Sequence, residues 1–344
     1  MKALVTVVME NFVEVRAALQ AAGRPPPGRI GAPDPVPEAL VGQMGGRLLA
    51  VDLCRGVVLG ERPLPTPSGL CWPDPAGPIW VASMWGDTLL AVDPETGRPE
   101  RAVSHPAFND LHTVVPSGGG LLVTCSGVDA VVELHPDEGP ERAWVGWAPP
   151  WPTPIPSPER ADPQADHRGR RYATLARALH LNSALPWGDG ALVSSFHTGE
   201  LLALGRDDGA VTRLRAGLDH PHALTFAGED GGLPPGSLVL CESPRGAVRV
   251  LHADDLSDHT TLSPGLRWVQ AACPSGRGTL LLLDNPHFGA GRRGAGPPQI
   301  VELDPSTGRG TTRLTLPAGW RLFSITPLTD AQTSRIGWLH DDRR

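Results

Sequence analysis

The sequence predicts an all-β fold: a six-bladed β-propeller with four-stranded blades, the ring closed by pairing of the N- and C-terminal strands. Three observations carry this. A unit of the form apolar–x–x–apolar–Asp–x–x–x–Gly recurs, with variations, at residues 48–56, 89–97, 131–139, 201–209, 248–256 and 300–308. Its first two steps are 41 and 42 residues, within the roughly 40–45 residues of a four-stranded blade. The 41 glycines and 38 prolines among 344 residues supply the many turns such blades need. Finally, the chain ends complement each other. Residues 322–328 read as a first strand with no third or fourth after it, while residues 48–52 and 56–64 read as third and fourth strands with no first. Joining them completes a sixth blade and leaves no open sheet edge, so the chain is read as one domain.

The clearest blade spans residues 110–147. LHTVVP, LLVTC, VVELH and ERAWVGW are its strands; SGGG, SGVDA and PDEG are its turns. The same division fits residues 67–103, 180–216, 220–263 and 267–317, the last with an insertion, NPHFGAGRRGAGPPQ, between its second and third strands. Two segments fit no blade. Residues 10–23 have helical spacing and end at Gly23 before a Pro-rich stretch, which predicts a short outer helix. Residues 149–178 form an inserted loop joining on the channel-mouth face; it carries Arg168, Arg170, Arg171 and the only tyrosine, Tyr172. A loop of that length reads either as a lid carrying an anion clamp or as a solvated charged loop.

Charge and composition exclude several classes. The net charge of −7 comes without a basic stripe, which argues against nucleic acid. No apolar run approaches the ~18–20 residues of a membrane span. The first residues carry no small-residue cleavage site, and the five cysteines are odd in number with no CxxC spacing. Reduced thiols and a cytoplasmic location are the expectation. The oligomeric state has no signature.

In a propeller the first strand of each blade lines the central channel. Aligning DLHTVVP, HLNSALP, HPHALTF and WVQAACP puts His112, Asn182, His222 and Gln270 in one ring, and Asp110, His180, His220 and Trp268 two residues earlier. Aligning the second strands adds Ser83, Cys125, Ser195, Glu242 and Asn285, followed two residues on by Trp85, Gly127, His197, Pro244 and His287. Six of the twelve histidines thus converge on one face. Neutral imidazole is the commonest transition-metal ligand, and a site needs three or four ligands from separate elements. Hydrogen-bonded structural histidines and channel water are the plainer alternative. Glu242 is a candidate general base, or a partner for Arg245. Cys125 sits in an apolar strand and is a poor nucleophile.

The stretch HPHAL…LVLCES…GAVRVL (residues 220–251) resembles virginiamycin B lyase and gluconolactonase-like propellers. DLHTVVPSGGGLLVTCSGVDAVVELHPDEG and HLNSALPWGDG resemble arylsulfotransferase-like propellers. Gluconolactonase-like enzymes bind a divalent cation through Glu, Asn and Asp, which the resemblance places at Glu242, Asn182 and Asn285. The histidine enrichment departs from that pattern and is closer to carotenoid-cleavage oxygenases, propellers in which four histidines hold iron(II).

The expectation is therefore a metal-dependent enzyme acting on a small molecule at the propeller axis. His112, His180, His222 and His287 are the expected ligands, with His197 in reserve. Iron(II) is the first choice of metal, ahead of Cu, Mn, Zn or Ca, and oxygenase chemistry is favoured. Glu242, His197, His220 and Tyr172 are the candidate catalytic groups. The alternatives are a metal-assisted lyase or lactonase-like hydrolase with a histidine acid/base, and a non-catalytic ligand-binding or protein-interaction propeller.

Overall fold

The computed structural model describes residues 1–11, 45–148, 163–169, 179–228, 232–286 and 296–339. Strand β1 (Lys2–Met9) is the second strand of a blade, and β2 (Arg47–Asp52) and β3 (Val57–Pro63) are its third and fourth. Blade I follows as β4 (Pro67–Cys71), β5 (Ile79–Ser83), β6 (Thr88–Val92) and β7 (Pro99–Val103). Blade II is β8 (Leu111–Ser117), β9 (Gly120–Cys125), β10 (Ala130–Leu134) and β11 (Trp144–Trp147). Blade III is β12 (Leu181–Trp187), β13 (Gly190–Ser195), β14 (Glu200–Leu204) and β15 (Val211–Arg215). Blade IV is β16 (Pro221–Phe226), β17 (Ser237–Glu242), β18 (Ala247–His252) and β19 (Asp258–Leu262). Blade V is β20 (Val269–Pro274), β21 (Leu280–Asp284), β22 (Gln299–Asp304) and β23 (Arg309–Thr315). Strand β24 (Arg321–Pro327) then pairs antiparallel with β1 and completes blade VI. Six antiparallel four-stranded sheets result, as the repeat predicts. Each first strand touches the next, from β4 through β8, β12, β16, β20 and β24 back to β4, so these six surround the axis.

The strand sequences read as continuous apolar runs because both faces of each blade are buried. One core fills each of the six gaps between neighbouring blades. Alternation distributes a strand between two of them. On β9, Leu121, Val123 and Cys125 face blade I, while Leu122 faces blade III. The recurring Asp–x–x–x–Gly unit is the turn between third and fourth strands. Asp93 accepts the amide hydrogens of Glu95 and Thr96 (2.9 and 3.1 Å), and Asp304 accepts that of Ser306 (2.8 Å). The glycine four residues on adopts φ +69° at Gly97 and +67° at Gly308, a conformation other residues reach only at a cost.

Two elements go beyond the sequence reading. The second strand of blade VI is β1, whose residues KALVTVVM are buried from Ala3 to Met9. A short helix α1 (Asp330–Arg335) follows β24, and Thr329 and Gln332 cap it reciprocally. Gln332 also donates to the Trp72 carbonyl (3.0 Å), fastening α1 to blade I. The expected outer helix at residues 10–23 lies almost wholly outside the described residues. Among the described residues no helix is long and apolar enough to cross a membrane.

Packing around the axis is tight. A Cβ on Gly69 of β4 would sit 2.6 Å from the Thr113 Cα and 2.7 Å from the His112 carbonyl oxygen on β8. Both obstacles are backbone and cannot rotate away. Gly69→Ala is expected to lower stability by about 1–3 kcal/mol in urea titration, the cost of overpacking a close contact.

Candidate active site

Strand register defines the channel-mouth layers. Pro67 pairs with Ser83, Leu111 with Cys125, Leu181 with Ser195, Pro221 with Glu242, Val269 with Asp284 and Leu322 with Val7. The residues one step along the first strands are therefore equivalent: Ser68, His112, Asn182, His222, Gln270 and Phe323. One step before the pairs come Thr66, Asp110, His180, His220, Trp268 and Arg321, closer to the mouth. The predicted rings are these two layers, now completed by the blades the alignment left out. One correction concerns blade V: the partner of Val269 is Asp284, so Asn285 stands one position further on than the sequence alignment set it. Thr66, Asp110, His180 and His220 all have left-handed backbones, with φ of +37°, +52°, +51° and +50°. Four non-glycine residues strained at one repeated position mark the mouth as a place where conformation is imposed.

The mouth gathers the expected imidazoles around Phe196. Its ring centroid lies 5.7 Å from His180, 5.3 Å from His197, 4.7 Å from His220 and 5.2 Å from His222. His112 packs edge-on to His180 (4.9 Å) and to Phe323 (5.2 Å). The sequence reading missed Phe196. In other blades its position holds Ser126, Ser243 and Asn285, which donate to the backbone carbonyls of Leu181, Val269 and Leu322 on the next first strand. Only the aligned second-strand ends carry the signal: an aromatic ring where three blades have a polar staple and the remaining two have Met84 and Val8.

The strongest polar arrangement is on blade IV. His220 Nδ1 lies 2.7 Å from Asp219 Oδ1. Burial works against the charge on Asp219, but hydrogen bonds from His220 and Arg245 outweigh it and hold the carboxyl below its usual range. An ionised carboxylate only accepts, so Nδ1 carries the hydrogen, and it is Nε2 that the neutral ring offers as the base. His220 is the exposed member of the histidine cluster; His112, His180 and His222 are buried.

Glu242 is fully buried but committed elsewhere. It accepts from the Asp219 amide (2.9 Å) and from Arg249 (2.9 Å), with Arg245 at 3.9 Å. The sequence reading offers Arg245 as one candidate partner, and it is within reach, but the nearer partner is Arg249. Arg249 continues outward to Asp258 (2.9 Å). Trp268 lies 6.3 Å from Phe196 between ring centroids, and the Arg321 guanidinium lies 5.3 Å over Trp268 and donates to Gln270 Oε1 (2.8 Å).

His222 is buried, and burial first, then the charges of Arg321, His112 and His220, hold its pKa well below the usual 6.5. The unfolded chain takes up a proton there that the folded chain refuses. Stability is thus retained above pH 6.5 and lost as pH falls below it, by up to about 1.4 kcal/mol per pH unit. His222→Gln is expected to flatten that acid limb when urea midpoints at pH 7.5 and 5.5 are compared with the parent protein.

Part of the inserted loop is visible. Gly169 donates to Asp87 Oδ2 (2.8 Å), and the His167 carbonyl accepts from Asn109 (2.8 Å). Residues 163–169 therefore lie against the mouth-side loops of blades I and II. Tyr172 and His287 lie outside the described residues.

The metal expectation meets a specific difficulty. Three expected ligands, His112, His180 and His222, share the mouth, but His112 Nδ1 is 3.1 Å from the Asp110 carbonyl oxygen. Among the described residues no three His, Cys, Asp or Glu side chains are disposed to hold a metal ion. The described donors do not by themselves fit a metal centre. The Cys125 thiol is pushed up by burial, in line with its reading as a poor nucleophile.

No protein-family model matches the chain, and no curated protein matches it. Solved structures do. A chain of the nidogen/laminin complex aligns over 94% of this chain and 97% of that one, at 11% identity and a TM-score of 0.55. A putative 6-phosphogluconolactonase from Bacteroides uniformis aligns over 90% and 81%, at 16% identity and a TM-score of 0.49. Virginiamycin B lyase from Staphylococcus aureus aligns over 72% and 69%, at 11% identity and a TM-score of 0.44. The resemblance is one of architecture and stops there.

Proposed function

We propose that the protein is an enzyme that uses His220 as a general base on a small molecule bound at the channel mouth, in an elimination or a hydrolysis. The observation that carries this is the Asp219–His220 pair: a solvent-facing imidazole with its tautomer fixed by an ionised carboxylate 2.7 Å away. In an elimination, Nε2 takes the proton from a carbon beside a carbonyl. The C–H electrons form the new double bond, the leaving group departs with its bonding pair, and the imidazolium returns the proton to it. In lactone hydrolysis Nε2 takes the proton from water, the hydroxide oxygen bonds to the carbonyl carbon, the ring C–O bond breaks, and the proton returns to the alkoxide. Phe196 and Trp268 form an apolar wall beside the base. Arg321 places positive charge near the mouth, suited to a developing enolate or oxyanion. Residues 163–169 of the inserted loop lie beside the mouth, and Tyr172, further along the same loop, is kept as a candidate catalytic group. A reducing cytoplasmic setting suits five cysteines that are all free thiols.

The convergence of His112, His180 and His222 favours a second reading, in which these three and His287 hold iron(II) or another divalent metal and His197 serves as reserve ligand or acid/base. The metal when bound would supply oxygen activation.

The test is turnover of a panel of lactones and of carbonyl compounds with a β leaving group, run with chelator and with added Fe(II), Mn(II), Zn(II) or Ca(II). Turnover that survives the chelator supports the general-base reading. Turnover only with metal, with about one equivalent retained after tag-free purification, moves the assignment to the metal reading. Binding without turnover of any compound makes the propeller an interaction module.

A further inference from the structure

A second recess lies on the axis, below the mouth, with a volume of about 310 Å³. Its inner end is formed by Asn182, His222, Gln270 and Phe323, the ring directly beneath the mouth residues. Its outer end is formed by Thr225, Pro274 and Pro327, at the far ends of their strands. It therefore faces the side of the propeller opposite the mouth. Between the ends, the wall is mostly small or apolar, with Gly69, Ala223, Ala271, Cys273 and Ile325 among its residues. None of the described lining residues is an acid, a lysine or an arginine.

Two polar atoms at the inner end are buried and have no hydrogen-bond partner among the described residues: Asn182 Oδ1 and His222 Nδ1. Asn182 and His222 are 2% and 8% exposed. The Asn182 amide is oriented by its Nδ2, which donates to the Pro221 carbonyl (3.3 Å), so Oδ1 is an acceptor. Buried polar atoms are rarely left unpaired, and an unpaired one is costly. A recess of a few hundred cubic ångströms, apolar along its walls with a few polar atoms at one end, is how small-molecule sites are built.

We propose that this axial recess is a binding site for a small uncharged molecule with an apolar body and a hydroxyl head, reached from the face opposite the mouth. The hydroxyl donates to Asn182 Oδ1 and accepts from His222 Nδ1–H, while the apolar body occupies the strand-lined wall. Charged ligands are disfavoured because the recess offers no counter-charge. This site is separate from the Asp219–His220 pair and stands whether or not that pair is catalytic.

The test uses the full chain with 4-ethylphenol and with ethylbenzene, of nearly the same shape but lacking the hydroxyl. Isothermal titration is expected to show saturable one-to-one binding of the phenol, at least tenfold tighter than the hydrocarbon. His222→Phe should bring the two within about twofold of each other, and His220→Asn at the mouth should leave both unchanged. Ala271→Leu, which fills the recess, should abolish binding of both. If that variant does not fold, nuclear Overhauser contacts from bound 4-ethylphenol to the Ala271 methyl and the Phe323 ring give the same answer. No saturable binding of either probe, which is the result for a recess that holds water alone, overturns the proposal. So does equal affinity for phenol and hydrocarbon, or loss of binding in His220→Asn, which would place the probe at the mouth.

Discussion

His220→Asn is expected to lower kcat/KM by about 10²–10⁴, the usual contribution of a positioned general base, with kcat falling and KM little changed. Asparagine is the informative replacement. His220 has φ +50°, and asparagine tolerates the left-handed region better than most residues. The side chain is exposed, so the fold loses little packing. Asp219→Asn is the companion variant. An amide at that position donates to Nδ1, which forces the proton onto Nε2 and removes the base from the mouth. It should therefore lose most of the rate while leaving the imidazole in place. Steady-state kinetics on the best substrate from the panel, with circular dichroism to show an intact fold, decide the matter. Rates within threefold of the parent in both variants would remove His220 from the chemistry.

Glu242→Ala is expected to cost about 3–5 kcal/mol of folding stability, the penalty for leaving a buried ion pair with one partner. Glu242 is 0% exposed and the Arg249 side chain 14% exposed, 2.9 Å apart. Removing the carboxylate leaves Arg249 with Asp258 as its remaining carboxylate, on the outer side, and also deprives the Asp219 amide of its acceptor. Replacing both partners with apolar residues, Glu242→Leu with Arg249→Met, should recover much of the loss. Urea denaturation measures both. The variant also separates the two roles open to Glu242: a well-folded Glu242→Gln protein that is inactive would restore it as a chemical group, whereas near-normal activity in the folded fraction makes it a positioning residue for Asp219.

Much of the architecture was legible because its punctuation is local. An Asp accepting from amides two and three residues on, and a Gly four residues on, leave a mark in the chain itself. Strand β1 left no such mark; its partner β24 lies at the other end of the sequence, and only pairing identifies it. The mouth rings were readable in the four blades whose first strands align on similar residues, while Arg321 and Phe323, on the dissimilar strand β24, were not. Asn285 was set one position off because two polar residues, Asp284 and Asn285, stand together before an insertion, and hydrogen-bond register alone chooses between them. Histidine placement showed that imidazoles gather, but not where their lone pairs go. His112 Nδ1 faces the Asp110 carbonyl, and His220 Nδ1 faces Asp219, contacts no spacing rule forecasts.

The closure of blade VI sets a schedule for biosynthesis. Thr6 Oγ1 accepts the Ser324 amide (2.9 Å) across 318 residues of chain. At roughly 5–20 residues per second, a ribosome takes on the order of tens of seconds to deliver the second of these after the first. Throughout that interval β1, an apolar strand, waits with one edge unmatched and nothing on that side to shield it. Such an edge is a template for the wrong neighbour, so the yield of native protein should depend on temperature and on chaperone supply during synthesis more than on the stability finally reached.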